Sequence, residues 1–398
     1  MDNEERISHH TGRSLFTHNF VLGFIVVFVF QLAFQSIYPA IPIYFAKLGS
    51  TEREVGLLVG IMGIAAVVSR FFAGAVLTRY SEKRVILCGT VLFAFTYVAF
   101  ILFRPFWPLF AVRFSQGVAF ACCHTAALAY IVNITPPAQR GQGLSYFMLS
   151  SNFAMAIAAP TGMFLINRYG FTTFFLSCAG LSLCSFLLAG RMKGHKNPST
   201  LERTSLAASA FLPEMKIIVP SIAGFLHMFV YGALTAFVPL YALHRGVTNP
   251  GLFFAATAVA MMAGRAFGGR VLDTYDKEKL ILILIIVCMV AMIILSFSKT
   301  VSMFIFVGLL WGTGASFFVP ASMAYALEYS GSSSGRALGS FNAFLDLGMA
   351  LGPAVTGLIV PVTGYPAMFL FLALICLMLF CYFQFYVRTR GSEAQAVS

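Results

Sequence analysis

The sequence predicts an all-α polytopic membrane protein with 12 transmembrane helices in two pseudo-symmetric six-helix halves. Three observations carry that reading. The composition is 59% hydrophobic and only 10% charged, whereas a soluble domain carries about a quarter charged residues to wet its surface. Runs such as "LILIIVCMVAMIILSF" and "FLFLALICLMLFCYF" are long enough to cross an apolar layer of about 30 Å as helices. Finally, the two halves of the chain resemble each other at a spacing of 195 residues. A mean hydropathy of +0.86 leaves most of the surface in lipid, and the runs do not alternate as barrel strands would.

Apolar length bounded by Pro, Gly and charge clusters places the spans in order. The first half holds 19–40, 54–78, 84–103, 107–132, 142–166 and 172–190. The second holds 216–242, 252–272, 279–298, 302–327, 337–360 and 366–387. Residues 1–18 form a polar cytoplasmic tail, 191–215 a cytoplasmic linker with Arg191, Lys193, Lys196 and Arg203, and 388–398 a second cytoplasmic tail. No cleavable signal peptide is evident, because the polar tail leads straight into a helix of full membrane length. With both termini inside, the inner segments carry 17 Lys and Arg and the outer ones six. That bias predicts a multi-pass protein of the cell (inner) membrane with cytoplasmic termini. The net charge of +12 therefore reports loop topology, and the basic linker faces solvent or headgroups rather than nucleic acid. The eight cysteines fall in or beside apolar runs without CxxC pairing, as small buried hydrophobes do.

The repeat is specific in places. "SRFFAGAVLTRYSEKRVIL" (69–87) lies over "GRAFGGRVLDTYDKEKLIL" (264–282), with Arg70 on Arg265, Gly74 on Gly269 and Tyr80 on Tyr275. "IPIY" (41–44) meets "VPLY" (238–241) at an offset of 197. Parallel six-span repeats put a central site between the halves, around an axis along the membrane normal.

Over nearly its whole length the chain resembles the major facilitator superfamily. "GAVLTRYSEKRVIL" is similar to that superfamily's loop between spans two and three, with Thr78 in place of the usual acid and Ser81 in place of a usual Gly; the second copy keeps its acid as Asp273. "RFSQG" (113–117) resembles the fourth-span motif of proton-driven efflux members, and "GMALGPAVTG" (348–357) the Gly-Pro antiporter motif. "YGALTAFVPLYALHRG" and "DLGMALG" are similar to bacterial exporters of the staphylopine and sugar-efflux type. The resemblance implies that spans two and eleven pack together across the halves. It also implies that Gly74, Arg79, Arg84, Gly269 and Asp273 belong to cytoplasmic gating loops, and that spans one, four, seven and ten line the cavity.

Asp346 is the one carboxylate deep inside a span. At the bilayer centre such a group costs roughly 3 kcal/mol or more and faces a cavity or a partner. It is either a static ion-pair member or a proton carrier. Counting helical rise from Arg336 and from Arg79 puts Asp346 about 15 Å and Arg70 about 13.5 Å from the inner ends of their helices. An Arg70–Asp346 pair bridging the halves is expected, with Arg265 as the rival partner. Arg113 either shares in proton transfer, as its motif implies, or snorkels and bonds nearby carbonyls. Gln31 and Gln35, His124, His227 and Tyr231, and Trp311 are the candidate substrate contacts, since polar and aromatic groups on one helical face suit a midplane site. Each has an equal reading as interhelical glue.

No HExxH or P-loop pattern is present, and "WGTGAS" (311–316) reads as close helix packing within a span. The expected function is a secondary transporter, a proton-coupled exporter of a small solute working by alternating access. Alternatives are a nutrient importer, or a lipid flippase or membrane sensor on the same fold. No enzyme activity and no cofactor are expected. The proton gradient would supply the energy, and the partners would be the solute, protons and the lipid bilayer, with the chain a monomer.

Overall fold

In the computed structural model, the residues described are 16–136, 139–194, 215–274, 277–329 and 334–387, and among them there is no strand. The helices are α1 (His18–Gln35), α2 (Ile37–Lys47), α3 (Glu52–Arg79), α4 (Glu82–Leu102), α5 (Phe106–Ile134) and α6 (Arg140–Gly190). The second half supplies α7 (Met215–His244), α8 (Gly251–Thr274), α9 (Lys277–Ser296), α10 (Val301–Tyr329) and α11 (Ser334–Tyr382), and a short π-helical turn follows (Phe383–Val387). Among the described residues, eight helical stretches are long and apolar enough to cross a membrane.

Two of those stretches, of 49 and 45 residues, are too long for one crossing. Each contains one glycine in the left-handed region, Gly170 (φ 84°) in α6 and Gly364 (φ 75°) in α11. Only a residue without a Cβ adopts that conformation freely, so each helix is a hairpin of two arms. Taking the arms separately and α1 with α2 as one crossing, the order of segments is consistent with twelve spans. The end at which α1 begins and α11 finishes is the tail end; the opposite one is the far end.

The first crossing departs from the expected 19–40. It continues to Lys47 through Ser36, which keeps helical φ/ψ and whose hydroxyl donates to the Leu32 carbonyl at 2.6 Å. Pro42 lies inside α2 without breaking it. At the start of α3, Thr51 and Glu54 form a capping box, with the Thr51 N–H donating to Glu54 Oε2 at 2.8 Å. Glu52 and Glu54 in its first turn and Arg79 in its last match the helix dipole.

Packing follows the sequence repeat. The α1–α6, α3–α5 and α4–α6 contacts of the first half recur as α7–α11, α8–α10 and α9–α11 in the second. The repeat holds to the residue: a Cβ on Gly117 would strike the Met62 carbonyl, and one on Gly312, 195 residues later, the Thr257 carbonyl. Glycine at both positions lets the fourth and tenth spans touch their neighbours' backbones.

The halves meet through α3 against the first arm of α11, and α8 against the first arm of α6. At the far end a Cβ on Gly56 would strike the Pro353 carbonyl, and one on Gly251 the Ala159 carbonyl. Asn249 Nδ2 donates to the Pro160 carbonyl at 3.3 Å, and Asn167 Nδ2 to the Thr248 carbonyl at 2.8 Å. The far end is thus closed by direct backbone-level contact between the halves.

Candidate functional site

Two helical stripes of small residues lead to the site. On α3 they are Gly56, Gly60 and Gly63; on α11 they are Ala350, Pro353 and Gly357, and the two stripes interlock. Spacings of three and four residues keep each stripe on one face. Continuing the α11 stripe one turn toward the tail end reaches Asp346. Continuing the α3 stripe two turns reaches Arg70. Arg70 Nη1 lies 2.6 Å from Asp346 Oδ2, with the side chains 29% and 26% exposed. The expected bridge between the halves is present. The rival Arg265, with Gly74, Gly269 and Asp273, lies outside the residues whose surroundings are described.

The pair opens onto a cavity of about 160 Å³. Arg70, Arg113 and Asp346 supply its charge; Phe34, Tyr38 and Phe120 supply aromatic walls; Thr235 and Met349 come from the second half. Two guanidiniums against one carboxylate leave the lining with an excess of positive charge.

Arg113 is 2% exposed. Its Nε donates to the Leu58 carbonyl at 2.9 Å, its Nη2 to the Val59 carbonyl at 3.3 Å, and its Nη1 to Gln116 Oε1. Gln116 in turn donates to Thr96 Oγ1 at 3.4 Å. The carbonyl-bonding expectation therefore describes its geometry, and the same side chain also faces the cavity. The repeat breaks at this network: Gly308, Trp311 and Ala291 occupy the positions equivalent to Arg113, Gln116 and Thr96. A charged hydrogen-bonded triad in the first half is replaced in the second by one aromatic and two small residues.

None of the six sequence-derived substrate candidates lines this cavity. Gln31 Nε2 donates to Ser151 Oγ and Gln35 Nε2 to the Ser151 carbonyl at 3.5 Å, tying α1 to α6. Ser151 is the repeat equivalent of Asp346. His124 packs edge-on against Phe147, with ring centroids 5.2 Å apart, and beside Phe120 at 5.3 Å. Phe318, His227, Trp311 and Tyr231 form one stacked column, with centroids 4.3, 5.1 and 6.3 Å apart along it. Tyr231 reaches Met155 Sδ across the halves at 3.6 Å. His227 Nε2 and Trp311 Nε1 are buried without a hydrogen-bond partner. Arg79 and Arg84 are exposed at the tail end.

Sequence reasoning missed Phe34, Tyr38, Phe120, Thr235 and Met349. The signal that could have found some of them is the pair of small-residue stripes, since Gly63 and Met349 flank the crossing itself.

Helices of membrane length, two halves related by a repeat, and a charged cavity between them describe the class of multi-pass membrane transporters. A sequence model of the Major Facilitator Superfamily matches residues 23–299 and 221–398, and the chain belongs to that superfamily. It is 25% identical over 346 residues to the staphylopine export protein of Staphylococcus aureus, covering 83% of this chain and 86% of that protein. It is 21% identical over 351 residues to the quinolone resistance protein NorA of the same species, covering 85% and 88%. A crystal structure of the nucleoside transporter NupG superposes with a TM-score of 0.80 at 16% identity, covering 92% of this chain and 99% of that one.

Proposed function

We propose that this transporter is a proton-coupled exporter of a small solute, working by alternating access in the cell membrane with both termini cytoplasmic. One observation carries the reading: the single ion pair that joins the halves among the described residues, Arg70–Asp346, lies on the wall of the central cavity. Protonation of Asp346 would remove its charge, weaken the bridge and release α3 from α11. The far-end contacts would then part, and the cavity would face outward. The export proteins among its relatives support the direction. The positive, aromatic lining suits a solute with an apolar body and an anionic or strongly polar group. The chain acts as a monomer, since each half supplies its own share of the cavity wall.

The test is transport by the purified protein in proteoliposomes under an imposed pH gradient. Solute addition should move protons in the wild type. Asp346→Asn should keep solute counterflow and lose its dependence on the gradient. Undiminished gradient-driven transport by Asp346→Asn would remove Asp346 from the coupling step. Failure of every solute to move protons would remove the coupling itself.

A further inference from the structure

A second concavity lies away from the central cavity, on the outer face of the first half toward the tail end. It holds about 450 Å³ and is almost wholly apolar. Val76 of α3 and Tyr80, just past its end, form one wall, Cys88 and Leu92 of α4 the other, and Gly89, Ala119 and Cys122 the floor. Val76, Tyr80 and Leu92 are exposed, as are neighbouring Phe72 and Phe95. In a membrane-spanning chain these rims face lipid.

The internal repeat supplies a control. The residues equivalent to Cys88, Gly89 and Cys122 are Ile283, Leu284 and Phe317. The second half therefore carries bulky side chains where the first keeps small ones. Gly89 is small for packing, since a Cβ there would meet Cys123 Sγ and the Ala119 carbonyl, and the second half makes that approach with Gly314 against Leu284. The difference peculiar to the hollow is Cys88 and Cys122 where the second half has Ile283 and Phe317.

Arg84 closes the tail end of the groove. It and nearby Arg79 are exposed, and among the described residues neither has a carboxylate partner. The nearest acid in sequence, Glu82, is turned inward: it is 1% exposed and accepts a hydrogen bond from Asn133 Nδ2 at 2.6 Å. Lys83 is also occupied, donating to the carbonyl of Gly190. An apolar channel thus ends in unneutralised guanidinium charge at the depth where helix ends meet headgroups. A guanidinium suits a phosphate oxygen pair, and basic side chains at a membrane surface each contribute about 1 kcal/mol of attraction to anionic lipid.

We infer that this groove is a binding site for one anionic phospholipid, an acyl chain lying along Cys88, Gly89 and Cys122 and the headgroup phosphate on Arg84. The site is separate from the solute cavity and does not depend on the transport reading.

Photo-crosslinking tests it on the unmodified protein. The full chain is reconstituted in nanodiscs containing phosphatidylglycerol with a diazirine on one acyl chain, irradiated and mapped by peptide mass spectrometry. Adducts should concentrate on 85–92 and 119–122. Even labelling of all lipid-facing positions, including Leu187 and Leu358, would overturn the site. Two variants then separate its parts by native mass spectrometry of the detergent-solubilised chain. Arg84→Gln should weaken phosphatidylglycerol retention about fivefold, the loss of one basic contact, and bring it level with phosphatidylcholine. Cys88→Ile with Cys122→Phe, which places the second-half residues in the groove, should abolish retention of both. Free inorganic phosphate should not displace the lipid. Equal retention of the two lipids by the wild type, or unchanged retention in both variants, would refute the assignment.

Discussion

Neutralising either member of the Arg70–Asp346 bridge should cost stability, and neutralising both should cost little more than one. With charge centres about 4 Å apart and an effective dielectric constant near 20, their attraction is about 4 kcal/mol before desolvation. The side chains are 29% and 26% exposed, which places the pair between two limits. Exposed pairs contribute about 0.2–1 kcal/mol, and removing one partner of a buried pair costs about 3–5 kcal/mol. Asp346→Asn or Arg70→Gln alone should therefore destabilise by about 1–3 kcal/mol, because each leaves a partly buried charge without its partner. The double variant leaves none, so a coupling of about 1–2 kcal/mol is expected. Thermal unfolding of the four proteins in one detergent reads the cycle, each single substitution lowering the midpoint by a few degrees. Additive losses, agreeing within about 0.5 kcal/mol, would mean that the two charges do not hold the halves together.

Three further outcomes follow from the same geometry. Gly56→Leu should wedge α3 from α11, because even its Cβ would meet the Pro353 carbonyl. At an overpacking cost of about 1–3 kcal/mol, it should increase labelling of a cysteine placed at Arg53 from the far side, and unchanged labelling would show that the closed far end does not depend on this contact. Arg113→Ala strands two carbonyls and Gln116, and should lower stability by about 2–4 kcal/mol, from hydrogen bonds to a charged donor of about 1.5–3 kcal/mol each with partial compensation; Arg113→Lys should recover only part in the same unfolding assay. His227→Phe keeps the ring stack and removes a buried nitrogen without a partner, so the unfolding midpoint should hold or rise, and a loss of transport at full stability would mark His227 as a solute contact.

The Arg70–Asp346 bridge was legible because depth along a helix is a matter of counting. Arg336 and Arg79 fix the helix ends and residue rise gives the two depths, while the family resemblance supplied the side-by-side placement of spans two and eleven. Span boundaries were legible for the same reason: 54–78 and 302–327 became Glu52–Arg79 and Val301–Tyr329. Rotation about the helix axis was not. In α1 nearly every side chain is apolar, so no polar face points toward or away from the cavity. Gln31 and Gln35 do share a face, as their spacing requires, yet that face meets Ser151 rather than the cavity. The stacked column of His227 and Trp311 likewise joins residues 84 positions apart, and nothing in either local sequence specifies the other.

Gly170 and Gly364 join antiparallel arms at the far end with a single left-handed residue each. Such a corner leaves no slack between the arms it connects. Neither arm can swing outward at that end without carrying the other, so each hairpin behaves as a pair of tongs fixed at its tip. Exposure of the cavity to the far side would then come from displacing whole hairpins. Lengthening either corner by a few flexible residues would uncouple the two arms and convert a concerted movement into an independent one.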